Sequence, residues 1–233
     1  MDLSNIEVVV SAAGALGLAS YALVDASKVG RYGGVSNAGF RFIEHAVRQL
    51  LPSEHLNLAT ARSHGRRSVL DVLHANWING SPLGDQKAIA KSLIKLRLTK
   101  DTAEAFAKAT LVDQDVLSAV AEKMAKGGKL GDEETNVLGR FDLGLTAILD
   151  EGYQRADQKY RNSARVLAAI VAVVLAVLGG WVVSGSSYWD YLKSSDVWVA
   201  LLCGLISVPI APITKDLTSA LQAGVKLAQT IKK

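Results

Sequence analysis

Three long apolar runs interrupt an otherwise mixed pattern of polar and apolar positions. No charged residue occurs from Val166 to Trp189 or from Val197 to Thr214, and the stretch from Val8 to Val24 is also uncharged. A helix rises about 1.5 Å per residue and a bilayer core is about 30 Å thick, so each run is about long enough to cross it. The pattern predicts three transmembrane helices, of which the last two form a hairpin.

Between the first two runs, apolar residues recur at spacings of three and four, which is typical of amphipathic helices. The clearest example starts at Asn37 and ends at Pro52, and its one apolar face consists of Phe40, Ile43, Val47 and Leu50. The same spacing predicts helices over 53–63, 66–77, 85–98, 99–110 and 113–126, with Thr99 and Asp113 as N-caps.

A last helix begins at Asp132, and no proline interrupts it before the second apolar run, so it could continue to Val183. Three glycines, Gly139, Gly144 and Gly152, oppose this continuity, because each costs about 1 kcal/mol in a helix interior unless close packing requires it. The helix carries a heptad-like seam that either packs in a bundle or pairs with copies of itself. The seam consists of Leu138, Phe141, Leu145, Ile148 and Gly152.

The elements together predict an all-α integral membrane protein with three transmembrane helices, a cytoplasmic helical bundle and a C-terminal amphipathic helix. A cleaved signal peptide and a buried helix of a soluble protein are the alternatives for the first run. Asp2 and Glu7 argue against the signal peptide, because they give the run an acidic start where signal peptides are basic. The C-terminal amphipathic helix over 214–233 is expected either to lie at the membrane interface or to pack on the helical bundle. The predicted segments are a transmembrane helix over 1–24, a helical domain over 25–165, a hairpin over 166–213 with an external loop at 185–196, and a tail over 214–233.

Charge is distributed unevenly around these segments. Of the 26 Lys and Arg residues, 21 lie between Asp25 and Arg165, one lies in the hairpin loop, four follow Thr214 and none precedes Val8. Cytoplasmic segments of membrane proteins carry the excess of Lys and Arg. The distribution therefore predicts an outside N-terminus and hairpin loop, with residues 25–165 and the C-terminus in the cytoplasm. The membrane itself is expected to be a plasma membrane or a bacterial inner membrane.

Aromatic residues cluster at the proposed outer end of the hairpin. Trp and Tyr favour the membrane–water interface, because the ring is apolar and its edge is polar. We expect these residues to anchor the hairpin there. The alternative is that the rings pack against one another or against a neighbouring subunit. The cluster consists of Trp181, Tyr188, Trp189, Tyr191 and Trp198.

Small residues recur at four-residue spacing in the first run, and such faces let membrane helices approach closely, within one chain or between subunits. One face carries Ser11, Ala15 and Ala19, and another carries Ala13 and Gly17. Gly179 and Gly180 add a small site in the second run. In the third run, Pro209 and Pro212 are expected to kink or end the helix.

Signatures of catalysis are absent from the sequence: it contains no GxSxG, HExxH or CxxC motif, and its glycine-rich stretch lacks the ending of a P-loop. The four histidines stand nine or ten residues apart, whereas zinc-binding pairs are typically three to five apart. The single cysteine, Cys203, cannot form an intrachain disulfide. We therefore expect no catalytic, cofactor-binding or metal-binding residues. The middle segment mixes 17 acidic residues with its 21 basic ones, which argues against nucleic-acid binding.

Small-residue faces without catalytic chemistry favour a non-enzymatic, homo-oligomeric membrane protein that serves as a structural or scaffolding assembly. Its expected partners are the lipid bilayer, further copies of itself and a cytoplasmic protein. The alternative is an oligomeric channel for ions or small solutes, gated by the cytoplasmic domain, with Ser207 or the proline segment lining the pore. A membrane-tethered enzyme or receptor is a third class.

Overall fold

The computed structural model describes residues 3–27, 33–51 and 68–212, and it describes side chains from Ser11 onward. Every regular element in these ranges is helical, which confirms the predicted all-α class. The predicted helix over 53–63 and the amphipathic tail over 214–233 lie outside the described residues.

The chain divides into two compact units. One, called here the helical domain, comprises Ser36–Tyr160, and the other, called the apolar unit, comprises residues 1–35 and 161–233. The helical domain contains α2 (Asn37–Leu50), α3 (Val69–Ile78), α4 (Leu83–Lys95), α5 (Lys100–Thr110), α6 (Gln114–Lys126) and the first part of α7 (Asp132–Ser184). The apolar unit contains α1 (Leu3–Ala26), the rest of α7, α8 (Tyr188–Lys193) and α9, described over Asp196–Pro212.

Side-chain caps define several helix starts of the helical domain. Ser68 and Asp71 form a reciprocal capping box at α3, and the Asp113 carboxylate accepts a hydrogen bond of 2.9 Å from the backbone N–H of Val116 at α6. Such caps satisfy backbone donors that have no partner within the helix. The predicted cap at Asp113 is present, and the start predicted at residue 66 moves to Val69 because the cap is Ser68.

The core of the helical domain is built on the seam of α7. Phe141 and Leu145 are fully buried there, and the Phe141 ring meets the Phe106 ring of α5 edge-on, with 5.5 Å between centroids. On α2, Ile43, Val47 and Leu50 of the predicted apolar face are likewise fully buried, and Phe40 is partly buried against the core. The seam therefore packs in a bundle core within this chain.

Helix α7 is continuous from Asp132 to Ser184 in spite of its glycines. Two of them stand where another helix approaches: a Cβ at Gly144 would lie 2.9 Å from Cβ of Thr110, and one at Gly152 would lie 2.7 Å from Cβ of Ala46. A Cβ at Gly139 would meet no atom within 4 Å. Close packing thus accounts for Gly144 and Gly152, while nothing in the structure explains Gly139.

Among the described residues, one helix, α7, is long and apolar enough to cross a membrane. The described apolar parts of α1 (Ser11–Ala26) and α9 (Asp196–Pro212) fall below that length, so three spans remain a prediction. The loop predicted over 185–196 is only partly irregular, because it contains the short helix α8.

Candidate functional site

Most buried residues of the apolar unit are small, and most of its large apolar residues are exposed. Along α7, Ala168 and Ala172 are 0% exposed, whereas Val174 is 50% and Val182 is 73% exposed. Only 11% of the most apolar 18-residue window of α7 is buried. This distribution is opposite to that of a water-soluble core, where large apolar side chains gain the most from burial. The same distribution is expected where lipid covers the outside and small residues bring helices together.

Helix α9 follows the same rule. Gly204 and Ala211 are buried, while Leu202 and Leu205 are more than half exposed. A Cβ at Gly204 would lie 2.6 Å from Cα of Val173, so the backbones of α9 and α7 are in direct contact at this level. The absence of a side chain at Gly204 makes this contact possible.

The two small-residue faces of α1 have different environments. Ala13 and Gly17 are buried, and a Cβ at Gly17 would overlap the backbone carbonyl of Ser207 and lie 2.9 Å from Cβ of Ala211. Ser11, Ala15 and Ala19 are exposed. The first face therefore packs within the chain, and the second is uncovered by the described residues.

An apolar groove of about 590 Å³ runs between α1, α7 and α9. Its polar side chains, Ser184, Tyr191 and Asp196, come from the end of α7, from α8 and from the start of α9. The lining away from that end is apolar or small, and Cys203 is part of it. The apolar lining consists of Ala12, Ala13, Leu16, Leu175, Ala176, Gly179, Gly180, Val183, Val199 and Ala200. The groove thus has one polar end and an otherwise apolar surface.

Tyr191 lies at the polar end of the groove. Its side chain is 1% exposed and its hydroxyl contacts Gly180, where any larger residue would collide with it. That hydroxyl has no hydrogen-bond partner in the described structure. An unsatisfied buried hydroxyl is costly, so it marks a place where a hydrogen-bond acceptor would stabilise the protein.

The other predicted interface residues lie near the surface. Trp189 and Trp198 are each 69% exposed, and Trp181 donates a hydrogen bond of 3.1 Å to the carbonyl oxygen of Ser186. The Tyr188 ring packs edge-on against both Trp181 and Trp189, with centroids 5.3 and 5.7 Å apart. Four rings therefore lie at the hairpin end, while Tyr191 lies inside because Gly180 leaves room for it.

The other predicted small and kink positions are less constrained. A Cβ at Gly179 would meet no atom within 4 Å. Helix α9 continues through Pro209 and reaches Pro212, the last described residue. Pro209 supplies no N–H, so the carbonyl of Leu205 lacks its usual helical donor.

The described histidines have structural surroundings. His74 shares a hydrogen bond of 2.9 Å with the side-chain oxygen of Asn37 and packs against Phe40, and His45 lies 2.8 Å from the side-chain nitrogen of Gln49. Within the described ranges, no three His, Cys, Asp or Glu residues are grouped closely enough to hold a metal ion. His55 and His64 lie outside those ranges.

Two side chains of the helical domain, Asp142 and Tyr153, have shifted pKa values, and their surroundings explain both shifts. The Asp142 carboxylate accepts hydrogen bonds from Lys91 at 2.5 Å and from Lys95 at 2.8 Å. Partial burial opposes ionisation of Asp142, but the two lysines outweigh it and hold its pKa below the usual range. Burial raises the pKa of the Tyr153 hydroxyl, which donates to the backbone oxygen of Gln86. These shifts are explained by pairing and burial alone.

Acidification is expected to weaken the helical domain through Asp142. Because its folded-state pKa is depressed, its contribution is present above the unfolded-state value of about 3.9 and is lost as the pH falls through the folded-state value. Asp142→Asn should remove a pH-dependent contribution of at most about 1 kcal/mol. Hydrogen exchange of α4 and α7 in the full-length protein between pH 3 and 6 measures it.

Replacing Lys91 and Lys95 tests the same contribution of Asp142 from the other side of the ion pair. Lys91→Met combined with Lys95→Met should flatten the same part of the pH profile, since these two amines cause the shift. An unchanged pH profile in both variants would show that Asp142 does not contribute in this way.

Sequence reasoning missed the groove and the buried position of Tyr191. Leu175, Ala176 and Asp196 carry no motif, and they come together only when α7 and α9 pack. The available signal was the placement of Gly180 ahead of a tyrosine-containing loop, since a glycine can admit a ring from a neighbouring element.

Comparison with protein-family models, curated proteins and solved structures finds no match for this chain.

Proposed function

We propose that this protein is a non-enzymatic, homo-oligomeric membrane protein that acts as a structural or scaffolding assembly. The observation that carries the proposal is the division of α1 into two small-residue faces, one packed within the chain and one exposed. In the proposal, Ser11, Ala15 and Ala19 contact another copy, and the helical domain binds further copies or a cytoplasmic protein.

The inside-out arrangement of the apolar unit supports membrane insertion. Large apolar side chains on α7 and α9 have no covering residues in the described structure, and a bilayer would cover them. In the proposal α1 and α9 also cross the membrane, the N-terminus is outside, and residues 25–165 are cytoplasmic, as the distribution of Lys and Arg favours.

Enlarging Ala15 tests the oligomer. Ala15→Leu adds bulk to the exposed face without touching the packed face, so it should shift the purified protein in mild detergent from oligomer to monomer. Sedimentation velocity or native mass spectrometry measures the change. Val174→Phe, a similar enlargement on the exposed side of α7, is the matched control and should leave the oligomer intact.

A wild-type protein that is monomeric in both detergent and lipid nanodiscs would overturn the assembly. An oligomer unaffected by Ala15→Leu would move the contact to another surface. Topology is tested separately with a cysteine at the exposed Ser187 in a Cys203→Ala background, which should react with an impermeant reagent added from outside.

The channel alternative is tested by flux across liposomes that contain the protein. Ser207, one suggested pore residue, is fully buried and donates to the carbonyl oxygen of Gly204, so its hydroxyl is used within the chain. Steady conductance of the wild-type protein would nevertheless favour the channel over the scaffold.

A further inference from the structure

The groove of the apolar unit has the chemical layout of an acyl-chain site. Its lining is small or apolar along α1, α7 and α9, and its polar residues, Ser184, Tyr191 and Asp196, all belong to the hairpin end. Its volume of about 590 Å³ lies within the range of about 300–1,000 Å³ that is usual for ligand pockets.

The hairpin end also carries the rings of Trp181, Tyr188 and Trp189. Such rings favour the headgroup level of a bilayer, which is where the ester groups of a phospholipid lie. At that same end, the buried Tyr191 hydroxyl has a proton to donate and no acceptor. The hydroxyl lies against Gly180 and has almost no accessible surface, so an ester carbonyl at this depth would become its acceptor once the Tyr191 side chain turns toward the groove.

We infer that the groove binds one acyl chain of an ester phospholipid, with the Tyr191 hydroxyl donating a hydrogen bond to the ester carbonyl. This inference rests on the proposed membrane location. It differs from annular lipid contact in requiring one saturable lipid whose affinity depends on a carbonyl oxygen.

Two lipids that differ only in the ester carbonyl test whether binding depends on that oxygen. The full-length protein, delipidated in mild detergent, is titrated with dioleoyl phosphatidylcholine and with the diether lipid of the same headgroup and chains, and bound lipid is counted by native mass spectrometry. The wild type should prefer the ester lipid by about 2- to 10-fold, the range expected for one net hydrogen bond. Tyr191→Phe should bind the two lipids equally.

A substitution that fills the groove provides a second test of lipid binding. A Cβ at Gly179 has open space around it, so Gly179→Leu should enter the groove without displacing other residues and should lower lipid retention at least 10-fold. Leu178→Phe, on the exposed side of the same turn, is the matched control and should retain lipid.

Stability gives an independent readout. If the groove is empty, removing the unsatisfied hydroxyl should leave the thermal midpoint unchanged or raise it; with lipid bound, Tyr191→Phe should lower the midpoint. Equal affinity of the wild type for both lipids, or an ester preference that persists in Tyr191→Phe, would overturn the inference. Retention unaffected by Gly179→Leu would also overturn it. A protein that needs neither detergent nor membrane would instead refute the proposed function.

Discussion

Phe141→Ala is expected to lower the free energy of unfolding of the helical domain by about 3–5 kcal/mol. Phe141 is fully buried and packs edge-on against Phe106. The substitution removes the ring and leaves a cavity between α5 and α7. Because domains are typically stable by only about 5–15 kcal/mol, this is a large fraction of the total.

Hydrogen exchange followed by mass spectrometry measures this effect in the full-length protein. The slowest amides of α5 and α6 should exchange hundreds of times faster or more in Phe141→Ala. Leu143→Ala is the control, because Leu143 is on the same helix but 71% exposed, and it should change stability by less than about 0.5 kcal/mol. Equal effects of the two substitutions would contradict the assigned core.

Gly17→Leu is expected to separate α1 from α9. Its Cβ would overlap the backbone carbonyl of Ser207, and its side chain would extend toward Ala211. A backbone atom cannot move aside as a flexible side chain can, so the helices must part. Overpacking of about 3 kcal/mol corresponds to a fall of about 6–12 °C in the thermal midpoint for a chain of this size.

The sign of the change in thermal midpoint separates two effects, because leucine is a better helix former than glycine. If helix propensity alone governed this site, Gly17→Leu would raise the midpoint. Ala15→Leu, two residues away on the exposed face, is the control for the fold. It should keep the wild-type thermal midpoint, except for any decrease caused by dissociation of the oligomer. Thermal unfolding at matched protein concentration in detergent compares the three proteins.

Sequence reasoning predicted the helices whose signals are local. The start of α6 depends on Asp113 bonding to a backbone three residues ahead, and the buried face of α2 follows from a spacing of three and four. Both signals require only the periodicity of a helix. The short α8 was missed because its six residues are too few to show a periodicity.

The groove depends on contacts between distant segments, so a single sequence could not predict it. The sequence presented two small-residue faces on α1 as equivalent, and only the position of Ser207 on α9 distinguishes the packed face from the exposed one. Tyr191 was expected at the interface because tyrosine favours it. Its burial depends on Gly180, which lies on another helix.

The placement of small residues inside the apolar unit has a consequence for how its sequence can change over time. At Gly204 an added Cβ meets α7, and Ala172 has no exposed surface, whereas at the exposed Val174 or Leu202 one aliphatic residue can replace another without a collision. Natural selection should therefore tolerate drift among the bulky outward residues and remove enlargements of the inward ones. In this unit the smallest side chains, rather than the most hydrophobic ones, would form the lasting evolutionary record of the fold.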